Sequence, residues 1–450
     1  MLDIKFIKDN VEMMKENAAK RNVAVDIDKV VSLYNRKTEI QFELDTLRQK
    51  RNENAAKMKG KMEQSERNAL IDEGKEIKAK IASLEEEEKK VSADYLAEAM
   101  NVPNLTHPSV PVGKTDKDSQ ELRKVGTIRK FDFEPQNHVQ LGEALDLIDF
   151  DTASSVSGQK FYYLKNEAAL LELALVQYGM QKVTKKGFKP HLTPDIAKAS
   201  ILEGIGFNPR GEETNIYSIE NTDQCLVGTA GITLGGINAG KILNEADLPI
   251  KMVGFSHCFR TEAGAAGQAT KGLYRVHQFS KVEMFIICKP EESDAMLETL
   301  RGIEEEIYQE LGIPYRVLNV SSGDLGNPAY KKYDLEAWMP GRNDYGEITS
   351  TSNCTDYQSR RLNIRFKNAE GKNQFVHMLN GTVIAVPRVI ISIMENFQNA
   401  DGSIDIPKVL VPWTGFDKIL PRKCVGSKEN HQVLIFLTLD DSVFWKKVIS

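Results

Sequence analysis

Two runs of apolar residues at three- and four-residue spacing, separated by one break, constrain the first hundred residues more than any other feature. Val30, Leu33, Ile40, Leu44 and Leu47 lead on to Met58; after a break at Gly60–Ser65 the pattern resumes at Leu70, Ile77, Ile81, Leu84 and Val91. This spacing predicts two long helices folded back as an antiparallel coiled-coil hairpin over about 28–98. At ~1.5 Å per residue, helices of about 30 residues project roughly 45 Å. The segment has no tryptophan and only two glycines, Gly60 and Gly74, so beyond its seam it has no core, and it is expected to reach for a partner. Its turn end carries Lys50, Arg51, Lys57, Lys59 and Lys61 against Glu53 alone, while the acidic run Glu85–Glu88 sits at the far end. A basic tip suits a phosphate backbone. A dimerising coiled coil with solvated charges explains the same pattern.

A chain of 450 residues is too long for one ordinary domain. The first 105 residues read as the helical arm, 106–130 as a linker opened by the Pro- and Asn-rich NVPNLTHPSVPV, 131–424 as a globular domain and 425–450 as an atypical tail. Beyond Lys130, Lys251–Phe255, Leu273–Phe279 and Val282–Cys288 read as strands, and Glu291–Leu311 and Val389–Phe397 as helices. Strands that follow one another without intervening helices favour an antiparallel sheet, so the fold class is α+β. The net charge of −5 excludes polyanion binding by bulk attraction and leaves local basic patches to do it. Five scattered cysteines without a CxxC pair suggest neither disulfides nor a zinc ribbon. The opening residues resemble no signal or transit peptide, and no apolar run approaches the ~18 residues of a membrane span. A soluble cytoplasmic protein is expected, or one of the mitochondrial matrix or plastid if the source is eukaryotic.

Gly235–Ile242 (GGINAGKI) satisfies GxxxxGK but has Ile242 where a P-loop needs a magnesium-binding hydroxyl, so it is read as a decoy. Phe259–Phe285 is more informative: a strand leads to Arg260 and Glu262, a Gly/Ala loop follows, and a return strand carries Arg275, His277, Phe279, Lys281 and Glu283. Side chains two apart on a strand share a face, so these five would present a cation, an imidazole, a ring, an ammonium and a carboxylate together. That face reads as a ligand cradle, with Val276, Val282 and Met284 turned into the core.

The segment resembles motif 2 of the class II aminoacyl-tRNA synthetases, and its wording resembles the seryl enzymes. The likeness runs to about Arg422 and includes LGEALDLIDF (141–150), PAYKKYDLEAWMPGR (328–342), GEITSTSNCTDYQSRRLNIRF (346–366) and LNGTVIAVPR (379–388). It is closest to a branch found in some bacteria and in organelles. The resemblance implies a coiled-coil tRNA arm joined to a class II catalytic domain, an antiparallel sheet flanked by helices. It implies that Arg260 binds the ATP α-phosphate, that Glu262 and Phe279 hold the adenine with Val276 beside them, and that Arg388 grips the γ-phosphate. Glu347 and Ser350 would hold Mg2+, and Glu283, Thr382 and Asn380 would read the hydroxyl of serine, with Thr229 and position 231 nearby. Arg260, Arg388 and Glu347 would carry catalysis by positioning and charge neutralisation. The implied partners are L-serine, tRNA(Ser) with tRNA(Sec) as a further candidate, and a second copy in a homodimer, but neither DNA nor a membrane.

Three departures stand out. The family's Thr-x-Glu glutamate, which holds the substrate ammonium, is replaced: residues 229–231 read TAG. A charge-assisted hydrogen bond contributes about 1.5–3 kcal/mol, so Gly231 is expected to weaken serine use. Pro387 precedes Arg388 where many members have glycine, and the tail after Cys424 resembles nothing in the family. Two other readings therefore stand beside an active serine–tRNA ligase: an impaired relative that binds tRNA or a partner without forming adenylate, and a ligase for a carrier or another amino acid.

Overall fold

The computed structural model describes residues 1–60, 62–207, 215–263 and 271–422. Two short helices, α1 (Ile4–Asp9) and α2 (Val11–Lys20), precede the long pair α3 (Ile27–Lys57) and α4 (Gln64–Asn101). The heptad pattern marks only the long pair. Ile7 and Met14, from α1 and α2, pack with Ile27, Val30, Tyr95 and Ala99 at the hairpin base. Farther out, Ile40, Leu44, Ile77 and Ile81 are buried between the helices, with Leu47, Leu84 and Val91 partly buried beside them. Beyond these the seam turns polar. Asn54 is buried and donates to the Leu70 carbonyl at 3.1 Å and to Glu73 at 2.8 Å. One polar residue in an apolar seam fixes register at some cost in stability. Two members of the acidic run are paired across the hairpin, Glu85 with Arg48 at 3.0 Å and Glu87 with Arg36 at 2.8 Å.

The rest of the chain is organised by one eight-stranded sheet. Its strands in chain order are β1 (Gln120–Val125), β2 (Lys189–Leu192), β3 (Ile250–Phe259), β4 (Gln278–Cys288), β5 (Tyr315–Asn319), β6 (Lys331–Met339), β7 (Asp344–Asn353) and β8 (His377–Ala385). They lie in the order β1-β5-β6-β7-β8-β4-β3-β2. Every neighbouring pair is antiparallel except β2 with β3. Five helices matter to the site: α5 (Asn166–Thr184), α6 (Ala230–Gly236), α7 (Ser293–Leu311), α8 (Tyr357–Leu362) and α9 (Val386–Asn396). One core places Val282, Met284, Ile286 and Val383 of the sheet with Leu175, Leu300 and Ile390 of the helices α5, α7 and α9. Among the described residues no helix is long and apolar enough to cross a membrane.

Two expectations need correction. The 106–130 stretch is not free linker, since Gln120–Val125 pairs with Tyr315–Asn319 at the sheet edge. Its sequence, QELRKV, is almost wholly exposed, so backbone pairing holds it and no apolar alternation could mark it. The return strand begins at Gln278 rather than Leu273. Leu273 and Val276 are buried, but irregular backbone carries them and no strand register aligns Arg275 and His277 with Phe279. The tail expectation for 425–450 lies outside the described residues.

Glu304 on α7 is fully buried beneath β7 and β8. Burial pushes its carboxyl well above the ordinary value. The Thr349 hydroxyl donates to the Thr382 carbonyl at 2.6 Å, and among the described residues neither Glu304 carboxyl oxygen has a hydrogen-bond partner. A folded carboxyl with a raised pKa keeps its proton while the unfolded one ionises above about pH 4.3, so folding is opposed increasingly as pH rises. Glu304→Gln should therefore stabilise the protein at pH 8 and have almost no effect near pH 4. Thermal melts at both pH values check this; an equal effect at both would contradict it.

Candidate active site

One face of the sheet gathers the polar residues. Cross-strand partners share a face, and the register places Asp334 opposite Ser350, Ser352 opposite Asn380, and Thr382 opposite Glu283. Glu347 and Ser350, three apart, would fall on opposite faces of a regular strand. A bulge at Ile348 removes the conflict: Leu335 pairs with Thr349 but Glu336 with Glu347, which returns Glu347 to the face of Ser350. On β4 the alternation puts Phe279, Lys281 and Glu283 on the same side.

Two cavities open on this face. The first is lined by Arg260, Glu262, Tyr274, Val276, Phe279, Glu347, Pro387 and Arg388 among others. Arg260 follows the end of β3, and its backbone is held from both sides, its N–H donating to the His277 carbonyl at 2.9 Å and its carbonyl meeting the His277 ring at 2.8 Å. His277 is thus a strut for Arg260 and not a cradle group. The Arg260 guanidinium lies 5.3 Å from the Phe279 ring centre and makes one long bond, 3.4 Å, to the Gly228 carbonyl. Among the described residues its buried Nε has no partner, a fork donor left for a ligand. Glu262 has a left-handed backbone (φ 52) and pairs with Arg275 at 3.0 Å.

Arg388, near the start of α9, pairs with the Glu347 carboxylate at 3.0 Å and donates to the Glu347 carbonyl at 3.1 Å. Tyr274, which the sequence reading passed over, lies beneath it with its ring centre 4.7 Å from the guanidinium. A tyrosine in a loop gives no periodic signal; only the fold brings it here. Against the cost of burial, Arg388, Lys332 and Arg260 hold the Glu347 carboxyl below its ordinary value.

The second cavity is lined by Thr229, Gly231, Glu283, Phe285, Ser350, Asn380 and Thr382, with Leu325, Pro328, Ala329 and Cys354 on one wall. Glu283 is almost wholly buried and accepts from Asn380 and Thr382, each at 3.2 Å, while Lys281 pairs with it at 2.8 Å. Lys281 stood on the polar face in the sequence but carried no assigned role; the structure makes it the counter-charge of Glu283. The Thr229 hydroxyl accepts from the Gly231 N–H at 3.2 Å and caps α6. A Cβ built on Gly231 would meet only ordinary contacts, Thr229 Oγ1 at 3.6 Å and Phe285 at 3.7 Å, so the backbone does not demand glycine. Arg260, Lys281, Glu347 and Thr382 line both cavities.

Glu347 and Ser350 supply a carboxylate and a hydroxyl on one face, hard oxygen donors of the kind magnesium takes. Asp334 lies opposite Ser350, buried, with Oδ1 unpartnered; burial pushes its carboxyl up to about 7, against the pull of Lys332 at 3.8 Å. The oxygen set fits the ion. Among the described residues no group of three His, Cys, Asp or Glu side chains forms a separate metal site. The P-loop decoy fails structurally too, because α6 ends at Gly236 and a short strand, Ile242–Asn244, follows where a P-loop starts a helix. Lys50, Arg51, Lys57 and Lys59 all lie exposed at the far end of α3 and the turn after it, and Lys61 is outside the described residues.

Residues 1–106 match the family model described as the seryl-tRNA synthetase N-terminal domain, and residues 217–397 match the class II tRNA synthetase core domain (G, H, P, S and T). A serine–tRNA ligase of Treponema denticola is 58% identical over 421 residues, which span 93% of this chain and 100% of that protein. One of Treponema pallidum is 50% identical over 424 residues, 94% of this chain and 100% of the relative. Among solved structures, seryl-tRNA synthetase from Pyrococcus horikoshii complexed with ATP superposes with a TM-score of 0.85 at 40% identity, covering 94% of this chain and 100% of that one. Nothing in these comparisons favours an impaired relative over an active one. With both family models in place, near-complete relatives of one kind and a sheet face that gathers the expected side chains, the chain belongs to the serine–tRNA ligase family of class II aminoacyl-tRNA synthetases.

Proposed function

We propose that the chain activates L-serine with ATP and esterifies tRNA(Ser) with it, tRNA(Sec) being a further acceptor. The observation that carries this reading is the junction of the two cavities at Arg260, Lys281, Glu347 and Thr382, where a nucleotide in one would meet an amino acid in the other. The serine carboxylate attacks the α-phosphorus, a new O–P bond forms, the bond to pyrophosphate breaks, and seryl-adenylate remains. The Arg260 fork meets charge on the α-phosphate, and Arg388 meets the far phosphates. Glu283 and Thr382 accept and donate to the serine hydroxyl, with Asn380 fixing the carboxylate of Glu283. Mg2+, held by Glu347 and Ser350, would neutralise phosphate charge on the departing pyrophosphate. In the second step the terminal hydroxyl of the tRNA attacks the acyl carbon and AMP leaves. No protein nucleophile is needed. The test is serine charging of tRNA by the purified chain; ester formation with another amino acid in preference to serine would overturn the assignment.

The arm supplies the tRNA contact. Arg36 and Arg48 are paired across the hairpin, whereas Lys50, Arg51, Lys57 and Lys59 stand exposed beyond those pairs. Replacing these four by alanine should raise the KM for tRNA about 10–100-fold and flatten its salt dependence, because each lost phosphate contact removes released counterions. Exchange without tRNA should stay unchanged; a fall there would contradict the assignment.

We also propose a homodimer. Leu170 and Leu173 on α5, Leu192 at the end of the edge strand β2, and Ile196 and Val156 are large apolar side chains left exposed. Sedimentation should give twice the 50.5 kDa chain mass, and Leu173→Glu should shift the population to monomer. A wild-type monomer at micromolar concentration would contradict this. The bacterial relatives support a cytoplasmic location.

A further inference from the structure

The rear wall of the amino-acid cavity is formed by a loop whose polar edge faces the arm. Leu325, Pro328, Ala329 and Cys354 line the cavity. Behind them Arg21, the residue that closes α2, is only 3% exposed. Its guanidinium donates to the Ala329 carbonyl at 2.9 Å, to Gly326 O, and at longer range to Asn327 O at 3.4 Å and Leu105 O at 3.3 Å. Asn104, just past α4 and 1% exposed, donates through Nδ2 to Pro328 O and Cys354 O, both at 2.9 Å. Its own N–H donates to Asn327 O at 2.9 Å. Two residues of the arm base thus hold the carbonyls of 326, 327, 328, 329 and 354, and that leaves the apolar edge of the same segment to the cavity.

A buried guanidinium answered by carbonyls is costly, and a chain that needed only apolar glue there would be served as well by leucine or methionine. Burial indeed lowers the Arg21 pKa to about 10. What a planar fork does that glue cannot is gather several carbonyls of one loop in a fixed geometry. Gly326 adopts a left-handed backbone (φ 70), which lets the loop turn its carbonyls to one side. Asn17 extends the lock, donating to Asn104 O at 3.0 Å and accepting from Thr106 at 2.8 Å.

We infer that Arg21 and Asn104 are positioning residues for the serine pocket, so that the base of the tRNA arm and the amino-acid seat share one wall. The inference rests on the proposed function and adds a part of the arm to the machinery of the first step. It also gives the arm a physical path to the pocket: motion of the arm base moves the carbonyls that shape the wall.

The test uses the full chain with Arg21→Met, Arg21→Lys and Asn104→Ser, assayed by ATP–pyrophosphate exchange without tRNA, so that a weaker tRNA grip cannot contribute. Arg21→Met should raise the KM for serine about ten-fold or more while the KM for ATP changes less than about two-fold, since a small displacement of a pocket wall acts on the ligand it touches. Arg21→Lys should recover part of that loss. If Arg21→Met does not fold, the Lys and Ser variants carry the test. Unchanged serine KM in both, or serine and ATP KM rising together, overturns the proposal and makes the residues structural. Hydrogen exchange of the amides of 325–330 gives a second readout, which should be faster in each variant. No serine-dependent exchange in the unaltered chain, with loop amides still loosened by the variants, would sink the parent function and leave the wall assignment standing.

Discussion

Arg260→Lys is expected to lower serine-dependent ATP–pyrophosphate exchange about 10²–10³-fold, the size of effect that follows loss of a preorganised donor at a developing charge. The substitution keeps the charge and removes the fork. Among the described residues Arg260 spends little of itself on the fold: one long bond to Gly228 O at 3.4 Å, a ring contact with Phe279, and a buried Nε with no partner. Thermal stability should therefore change little while activity collapses, and the loss should fall mainly on kcat because the α-phosphate gains charge in the transition state. The opposite outcome, full activity with a lowered melting temperature, would make Arg260 a packing residue.

The second large effect runs upward. Gly231→Glu should raise kcat/KM for serine about ten- to a hundred-fold, the yield of one charge-assisted hydrogen bond to the ammonium. Glu283, a carboxylate that lines this pocket, is already engaged by Lys281, Asn380 and Thr382. An incoming ammonium must share it with a lysine. Position 231 accepts a side chain without strain, since its backbone is not left-handed and a Cβ meets nothing closer than 3.6 Å. The first turn of α6 also favours a carboxylate over a neutral side chain. Steady-state exchange at varied serine measures the gain. An unchanged or lowered kcat/KM would mean that the pocket holds the ammonium by another group and that Gly231 is part of that solution.

How much of this was legible in the residues differs from element to element. The arm was readable because two helices of this length repeat their seam many times, and Ile40, Leu44, Ile77 and Ile81 sit where the spacing put them. Its first two helices were not, because six and ten residues hold too few turns to show a period. On β4 the alternation of Phe279, Lys281 and Glu283 follows from strand geometry alone; carried back to where the strand had not yet begun, the same reasoning misplaced His277, while Arg275 reaches the first cavity from irregular backbone. Glu347 and Ser350 show the limit most clearly. Their spacing of three argues for opposite faces, and only the bulge at Ile348 brings them together; the family likeness assigned them where periodicity could not. Tyr274 and Arg21 act through tertiary contacts that no local pattern encodes. For the edge strand β1, neither burial nor alternation left a trace to read.

The most direct measurement is ATP–pyrophosphate exchange by the unaltered chain, run with each amino acid in turn and without tRNA. Exchange should depend on serine above all others, weaker than that of the Gly231→Glu variant but well above background. No exchange with serine from either chain, or stronger exchange with another amino acid, would contradict this.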